Sequence, residues 1–141
     1  MLISYRSTTT TNPIYKLNME GKERFSWRKR ALSFKYAFKG ISTLFASEHN
    51  ARIHLVIAIL VISAGFIFRL SLTEWALIVL CIGGVFMAEA INSALETLAD
   101  KVSPEKDPLI ERAKDLSAAA VLLFVFAAVA VGLIVFIPHI L

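Results

Sequence analysis

The chain has 141 residues, of which 57% are hydrophobic and 18% are charged, and its net charge is +4 at pH 7. A soluble domain typically carries about 45–50% apolar and about 25% charged residues, so this composition excludes an ordinary soluble fold. The single cysteine, Cys81, excludes an internal disulfide and lies in an apolar segment, where we interpret it as a packing residue.

Residues 1–25 are polar and rich in turn-forming residues, which predicts a flexible N-terminal extension. In residues 26–47, apolar side chains recur every three or four positions from Trp27 to Phe45, and basic residues lie away from that face. This pattern predicts an amphipathic helix on the inner surface of a membrane. The alternative, a helix covering the core of a soluble domain, is disfavoured because the chain offers little soluble core.

Three apolar segments of bilayer length follow, and together with the amphipathic helix they form one predicted membrane domain over residues 26–141. They are residues 53–70, 75–99 and 116–138. The predicted fold is therefore an all-α membrane protein with three transmembrane helices and an N-terminal amphipathic surface helix. Three helices are few to enclose a site alone, so we expect the chain to oligomerise.

The connections between these spans carry helix-start signals. Ser71 or Thr73 is placed to cap the second span. Between the second and third spans, Ser103-Pro104 is typical of a turn. Asp107 is then predicted as the N-cap of the last helix, with Pro108 at its first position.

The basic residues are distributed unevenly along the chain. Ten of the fifteen Lys and Arg residues lie in residues 1–52, and four more lie in or beside the loop between the second and third spans. The positive-inside rule therefore predicts a cytoplasmic N-terminus and an outward C-terminus. With three spans behind it, the basic N-terminal region favours contact with the inner leaflet over binding to nucleic acid.

A polar stripe interrupts the second span. Its members recur at spacings of three, four and four residues and so share one helix face: Glu89, Asn92, Glu96 and Asp100. An ionised side chain in the hydrocarbon costs on the order of 3 kcal/mol, so such residues rarely lack a role. Several acids on one stripe indicate a cation site, a proton acceptor, or both.

The depth of each acid suggests a different role. Counting about 1.5 Å per residue from Trp75, Glu89 lies about 21 Å and Glu96 about 31 Å along the helix. Glu89 then falls in the inner leaflet, near a lipid hydroxyl, where scarce water suits a general base. Glu96 falls at the cytoplasmic interface, which Glu48 approaches from the first span. One carboxylate from each of two segments suits Mg²⁺.

Other polar residues near that interface have less specific interpretations. Asn92 can orient a carboxylate, a metal or a phosphate, and Lys114 can clamp a phosphate. Arg52 and Arg112 either assist the site or extend towards the interface.

The competing hypotheses are a non-catalytic protein whose polar stripe only holds helices together, and a small transporter. Transport is disfavoured because the third span has no charge, the first has none between Arg52 and Arg69, and the acids of the second span stop short of its outer half. The sequence contains none of the nucleotide-binding motifs of soluble kinases, so the residues alone do not indicate that ATP is a substrate.

The run from Glu89 to Asp100, EAINSALETLAD, resembles the signature of the bacterial integral-membrane diacylglycerol kinase family, which includes the undecaprenol kinases. Ala113-Lys114-Asp115, followed by small residues from Ser117, is similar to the second element of that signature, and Glu48 with Arg52 to a third. The resemblance implies a homotrimer with active sites shared between subunits, and ATP, Mg²⁺ and a membrane lipid alcohol as reactants.

The resemblance also implies roles for individual residues. Glu89 is the expected catalytic base, and Glu48 and Glu96 are the expected metal ligands, which also contact ATP. The remaining residues expected to bind ATP or phosphate are Asn92, Asp100, Lys114 and Asp115. Lipid-substrate contacts are expected from Glu89, Ser117 and Arg52.

The activity implied is ATP-dependent phosphorylation of undecaprenol or diacylglycerol at the cytoplasmic face of the bacterial inner membrane. Short stretches such as Arg52-Ile53-His54 and Ser103-Pro104-Glu105 look closer to the undecaprenol kinase branch. We interpret His54 itself as an interfacial side chain rather than a ligand.

Overall fold

The structure, a computed structural model, describes residues 26–141, and within them the chain forms four α-helices and no strand. The helices are α1 (Trp27–Ser47), α2 (His49–Phe68), α3 (Leu72–Val102) and α4 (Pro108–Ile140). The last three are each long and apolar enough to cross a membrane, which confirms an all-α fold with three candidate spans. The predicted extension over residues 1–25 lies outside the described residues.

The last two helices are longer than a bilayer requires. Helix α3 has 31 residues and α4 has 33. At 1.5 Å per residue these helices measure about 46 and about 50 Å, against about 30 Å of hydrocarbon. Helix α3 extends beyond the predicted residues 75–99 at both ends, and α4 extends beyond the predicted residues 116–138, mainly at its start, where no helix breaker lies between Leu109 and Asp115.

Each helix boundary has a local cause. Helix α2 ends before the predicted residue 70 because Arg69 adopts a left-handed conformation with φ 55°. The Leu70 N–H then donates to the Gly65 carbonyl at 3.1 Å, which satisfies a terminal carbonyl of α2. Helix α3 begins with a capping box, and Ser71 rather than Thr73 is the capping residue.

The start of α4 confirms the sequence-based prediction. The Asp107 carboxylate accepts hydrogen bonds from the backbone N–H groups of Leu109, at 2.7 Å, and Ile110, at 3.3 Å. Pro108 occupies the first helical position, where its missing N–H costs nothing. This cap fixes where the loop after α3 ends, and so it places Lys114 and Ser117 on the first turns of α4.

Residues 37–141 form one compact unit in which α3 is central. Helix α3 packs along α4 and more lightly against α2. Gly84 allows the close approach of α4, because a Cβ added there would lie 2.0 Å from Cζ of Phe124. A Cβ on the neighbouring Gly83 would meet nothing within 4 Å, so of these two adjacent glycines Gly84 is the one at the contact with α4.

Candidate active site

Glu89 is the one buried polar or charged side chain among residues 26–141, with 3% of its surface exposed. Its Oε1 lies 3.1 Å from Nε2 of His54 on α2. A buried carboxylate without a partner is strongly destabilising, so this contact compensates for taking the charge out of water. The sequence indicated an interfacial position for His54, and its pairing with Glu89 was not predicted. The antiparallel course of α2 and α3 is the signal that could have found it.

Glu48 joins the start of α2 to α3. It is the N-cap residue of α2, yet its side chain makes no capping hydrogen bond to that helix. Its Oε1 instead accepts hydrogen bonds from the hydroxyls of Ser93, at 2.8 Å, and Ser47, at 3.2 Å. The carboxylate is thus brought against the polar stripe of α3 from a second helix.

Glu96 is held by the other polar residues of the stripe. The Asn92 amide Nδ2 donates to Glu96 Oε1 at 3.0 Å, one turn along α3. The Ser117 hydroxyl on α4 lies 2.5 Å from Asn92 Oδ1 and 2.8 Å from the Lys114 carbonyl, so it ties the amide to the neighbouring helix. With its Oδ1 accepting and its Nδ2 donating, the Asn92 amide has one defined orientation.

The donor set suits Mg²⁺. Ser93, which binds Glu48, and Glu96 are three residues apart on α3 and therefore neighbours on its surface. Within residues 26–141 no three His, Cys, Asp or Glu side chains gather in a metal-binding cluster. Mg²⁺ commonly uses one or two carboxylates and takes its other ligands from water and substrate phosphates, so Glu48 and Glu96 fit it.

A polar cleft lies between the end of α3 and the start of α4. Its volume is about 390 Å³, and its walls include Asp100, Lys114, Asp115 and the loop from Ser103 to Asp107. Across it, Lys114 Nζ lies 2.8 Å from Asp100 Oδ1. Three of the residues predicted to contact ATP are therefore brought together around one opening.

Arg52 has a different environment from the one considered in the sequence analysis. Its Nε donates to the Phe45 carbonyl at 2.8 Å, and its Nη2 donates to the Ala46 carbonyl. These carbonyls belong to the last turn of α1 and have no helical N–H partner of their own. The guanidinium thereby fastens the end of α1 to α2, and its predicted contact with the lipid stays a prediction.

An apolar groove runs away from the buried carboxylate between α2, α3 and α4. Its volume is about 200 Å³, and His54 lines it together with residues such as Ala58, Val85 and Phe136. Cys81 also lines the groove, in agreement with a packing role. The polar stripe therefore has two kinds of neighbouring space, a charged cleft by the α3–α4 loop and an apolar groove beside His54.

Three helices long and apolar enough to cross a membrane, with a buried carboxylate and a polar network among them, indicate an integral membrane protein with a candidate site on α3. Comparison with known proteins identifies that class further. Residues 35–136 match the family described as prokaryotic diacylglycerol kinase. The chain belongs to this family, and it is a multi-pass membrane lipid kinase. The scaffold and transporter alternatives are therefore set aside.

Individual relatives show how far the similarity extends. The chain is 38% identical to the undecaprenol kinase of Bacillus subtilis, over 75% of this chain and 86% of that protein. It is 38% identical to the diacylglycerol kinase of Synechocystis, over 78% of this chain and 63% of that protein, which is less than two thirds of its length. It is 32% identical to the diacylglycerol kinase of Pseudomonas aeruginosa, over 60% of this chain and 69% of that protein.

Proposed function

We propose that this protein transfers the γ-phosphoryl group of ATP to the hydroxyl of a lipid alcohol at the cytoplasmic face of the bacterial inner membrane. The product is undecaprenyl phosphate or phosphatidic acid, according to the lipid. The observation that carries this proposal is the buried Glu89 carboxylate, which lies on the same stripe of α3 as the acids and amide that lead to the Lys114 cleft.

Glu89 is the proposed general base. As the lipid hydroxyl oxygen forms its bond to the γ-phosphorus, the O–H bond breaks and the proton passes to the Glu89 carboxylate. The bond between the γ-phosphorus and the bridging oxygen breaks at the same time, and ADP leaves with that electron pair. Such a transfer depends mainly on positioning and on neutralising phosphate charge, because little covalent chemistry falls to the protein.

The remaining polar residues would hold the nucleotide. Glu48 and Glu96 would hold Mg²⁺, which when bound neutralises charge on the phosphates. Lys114 would exchange its ion pair with Asp100 for a phosphate oxygen, as an ammonium donor does. Asn92, Asp100 and Asp115 complete the proposed nucleotide contacts around the cleft.

The contacts proposed for the lipid are less extensive. Ser117, held beside Asn92, and Arg52, at the junction of α1 and α2, are the proposed contacts besides Glu89. The chain is 38% identical to an undecaprenol kinase and 38% identical to a diacylglycerol kinase, so overall identity favours neither lipid. The stretches Arg52-Ile53-His54 and Ser103-Pro104-Glu105, which look closer to the undecaprenol kinase branch, are the basis for proposing undecaprenol as the preferred substrate.

We further propose that the protein is a homotrimer in which α1 is an amphipathic helix on the inner membrane surface. Large apolar side chains are exposed along all three apolar helices, and Ile59, Leu80 and Phe126 are examples. Lipid and neighbouring subunits are the partners that such surfaces suit. The basic residues of the N-terminal region support a cytoplasmic N-terminus and an outward C-terminus.

A direct transfer assay tests the proposed activity. The full chain in detergent micelles is incubated with Mg²⁺, ATP labelled at the γ-phosphate, and either undecaprenol or diacylglycerol. We expect label in the extracted lipid, more of it in undecaprenol, with loss on chelation by EDTA and recovery on addition of excess Mg²⁺. Absence of label from both lipids, or transfer that is unaffected by EDTA, would contradict the proposal.

A further inference from the structure

Glu89 has one polar neighbour, and that neighbour is titratable. Within residues 26–141, the carboxylate has one close polar contact, in which Oε1 lies 3.1 Å from Nε2 of His54. The second carboxylate oxygen, Oε2, is therefore the atom open to a substrate hydroxyl.

The two side chains differ in exposure. Glu89 is 3% exposed, whereas His54 is 19% exposed and also lines the apolar groove. A carboxylate at this depth has no bulk water to orient it, so its direction is set by the group that bonds to it.

We propose that His54 is a positioning residue for the transfer reaction, one whose Nε2 stays 3.1 Å from Oε1 of Glu89 and so leaves Oε2 to face the lipid hydroxyl. This inference rests on the proposed role of Glu89 as the base. His54 acts through Glu89 and takes no proton from the substrate. Its rigid ring fixes the carboxylate relative to α2, so the base keeps its place while the lipid enters from the bilayer.

The test compares substitutions of His54 that differ in one property at a time. His54→Gln places a neutral amide N–H close to the position of Nε2. His54→Asn carries the same amide on a side chain one methylene shorter, which does not reach Glu89. His54→Leu removes the donor and keeps the apolar volume beside the groove.

The matched control is His139→Leu. It deletes a second pair between a histidine and a glutamate, the 2.9 Å contact of His139 with Glu74, far from the polar stripe. All variants are assayed as full chains with labelled ATP and undecaprenol, and assembly is checked by gel filtration.

We expect His54→Leu and His54→Asn to lower kcat about 100-fold, the scale of a misplaced catalytic group, while the KM values for ATP and lipid stay within about twofold. His54→Gln should restore most of that loss. If His54→Leu does not assemble, the kcat values of His54→Asn and His54→Gln test the inference by themselves, since both variants keep a polar amide.

Three results would overturn the inference. The first is an unchanged kcat in both His54→Leu and His54→Asn. The second is a loss in His54→Gln as large as in His54→Asn, which would mean that the donor is not what matters. The third is a rise in the lipid KM at constant kcat, which would make His54 a wall of the groove. Inactive wild-type protein would instead defeat the proposed function.

Discussion

Two pairs of histidine and glutamate join helices at distant points of the same α3 helix. His54 on α2 lies 3.1 Å from Glu89, and His139 on α4 lies 2.9 Å from Glu74. The residue types are the same, and of the two contacts the one between His139 and Glu74 is also a hydrogen bond. The exposure of the carboxylate differs, since Glu89 is 3% exposed and Glu74 is 26% exposed.

The number of other partners also differs. Oε2 of Glu74 accepts hydrogen bonds from the backbone N–H and the hydroxyl of Ser71, both at 2.7 Å, while Oε1 contacts His139. Both oxygens are occupied, and the result is a well-formed helix start. Glu89 lies in mid-helix, where every backbone N–H is already used, and keeps one oxygen available. A carboxylate pair is therefore structural or reactive according to burial and spare hydrogen-bonding capacity.

Glu89→Gln tests this comparison with the largest expected effect. The amide has the size and shape of the carboxylate but cannot accept the hydroxyl proton, so we expect kcat to fall by about 10³-fold, within the range for loss of a general base. Lipid phosphorylation is measured under saturating ATP and lipid. The control is Glu74→Gln, which should keep kcat within about twofold of wild type. An active Glu89→Gln protein would remove the base assignment.

A second comparison uses two serines that hydrogen-bond to glutamates: Ser93, which donates to Glu48, and Ser71, which donates to Glu74. Ser93 donates to Glu48 at 2.8 Å and orients a proposed metal ligand. In Ser93→Ala, the Mg²⁺ concentration giving half-maximal activity should rise about 10-fold, as expected when a group that orients a metal ligand is lost.

Ser63→Ala is the control for this titration, because the partner of the Ser63 hydroxyl among residues 26–141 is a carbonyl of its own helix, that of Ile59. It should leave the Mg²⁺ dependence unchanged. If both variants gave the same Mg²⁺ curve as wild type, Glu48 would not need Ser93 to act as a ligand.

The smallest effect is expected at the other serine. Ser71→Ala removes the cap of α3 and should lower the free energy of unfolding by about 1 kcal/mol, without changing kcat below the unfolding transition. Thermal unfolding in detergent micelles measures it. Thr73→Ala is the matched control, since Thr73 is exposed beside the cap and does not form it. A loss of activity in Ser71→Ala at temperatures where the protein stays folded would contradict a purely structural role for the pair of Glu74 and His139.

Local patterns in the sequence were sufficient for some features. Hydropathy predicted three apolar helices, because a span needs about 20 apolar residues and each must satisfy its own backbone. The cap at Asp107 with Pro108 was also predictable, because both residues act within one turn. The stripe from Glu89 to Asp100 could be located from helical spacing alone, and its motif indicated the family that the comparisons show.

The chain alone therefore determined which segments enter the membrane and which residues share the polar face of α3, because both follow from periodicity over a few turns. The pairing of His54 with Glu89, the reach of Glu48 to Ser93 and the engagement of Arg52 by the end of α1 were decided by tertiary structure. Each joins groups on different helices, or across the break between α1 and α2, and depends on the register of antiparallel helices. That register is set by close packing such as Phe124 against Gly84, which no single helix specifies.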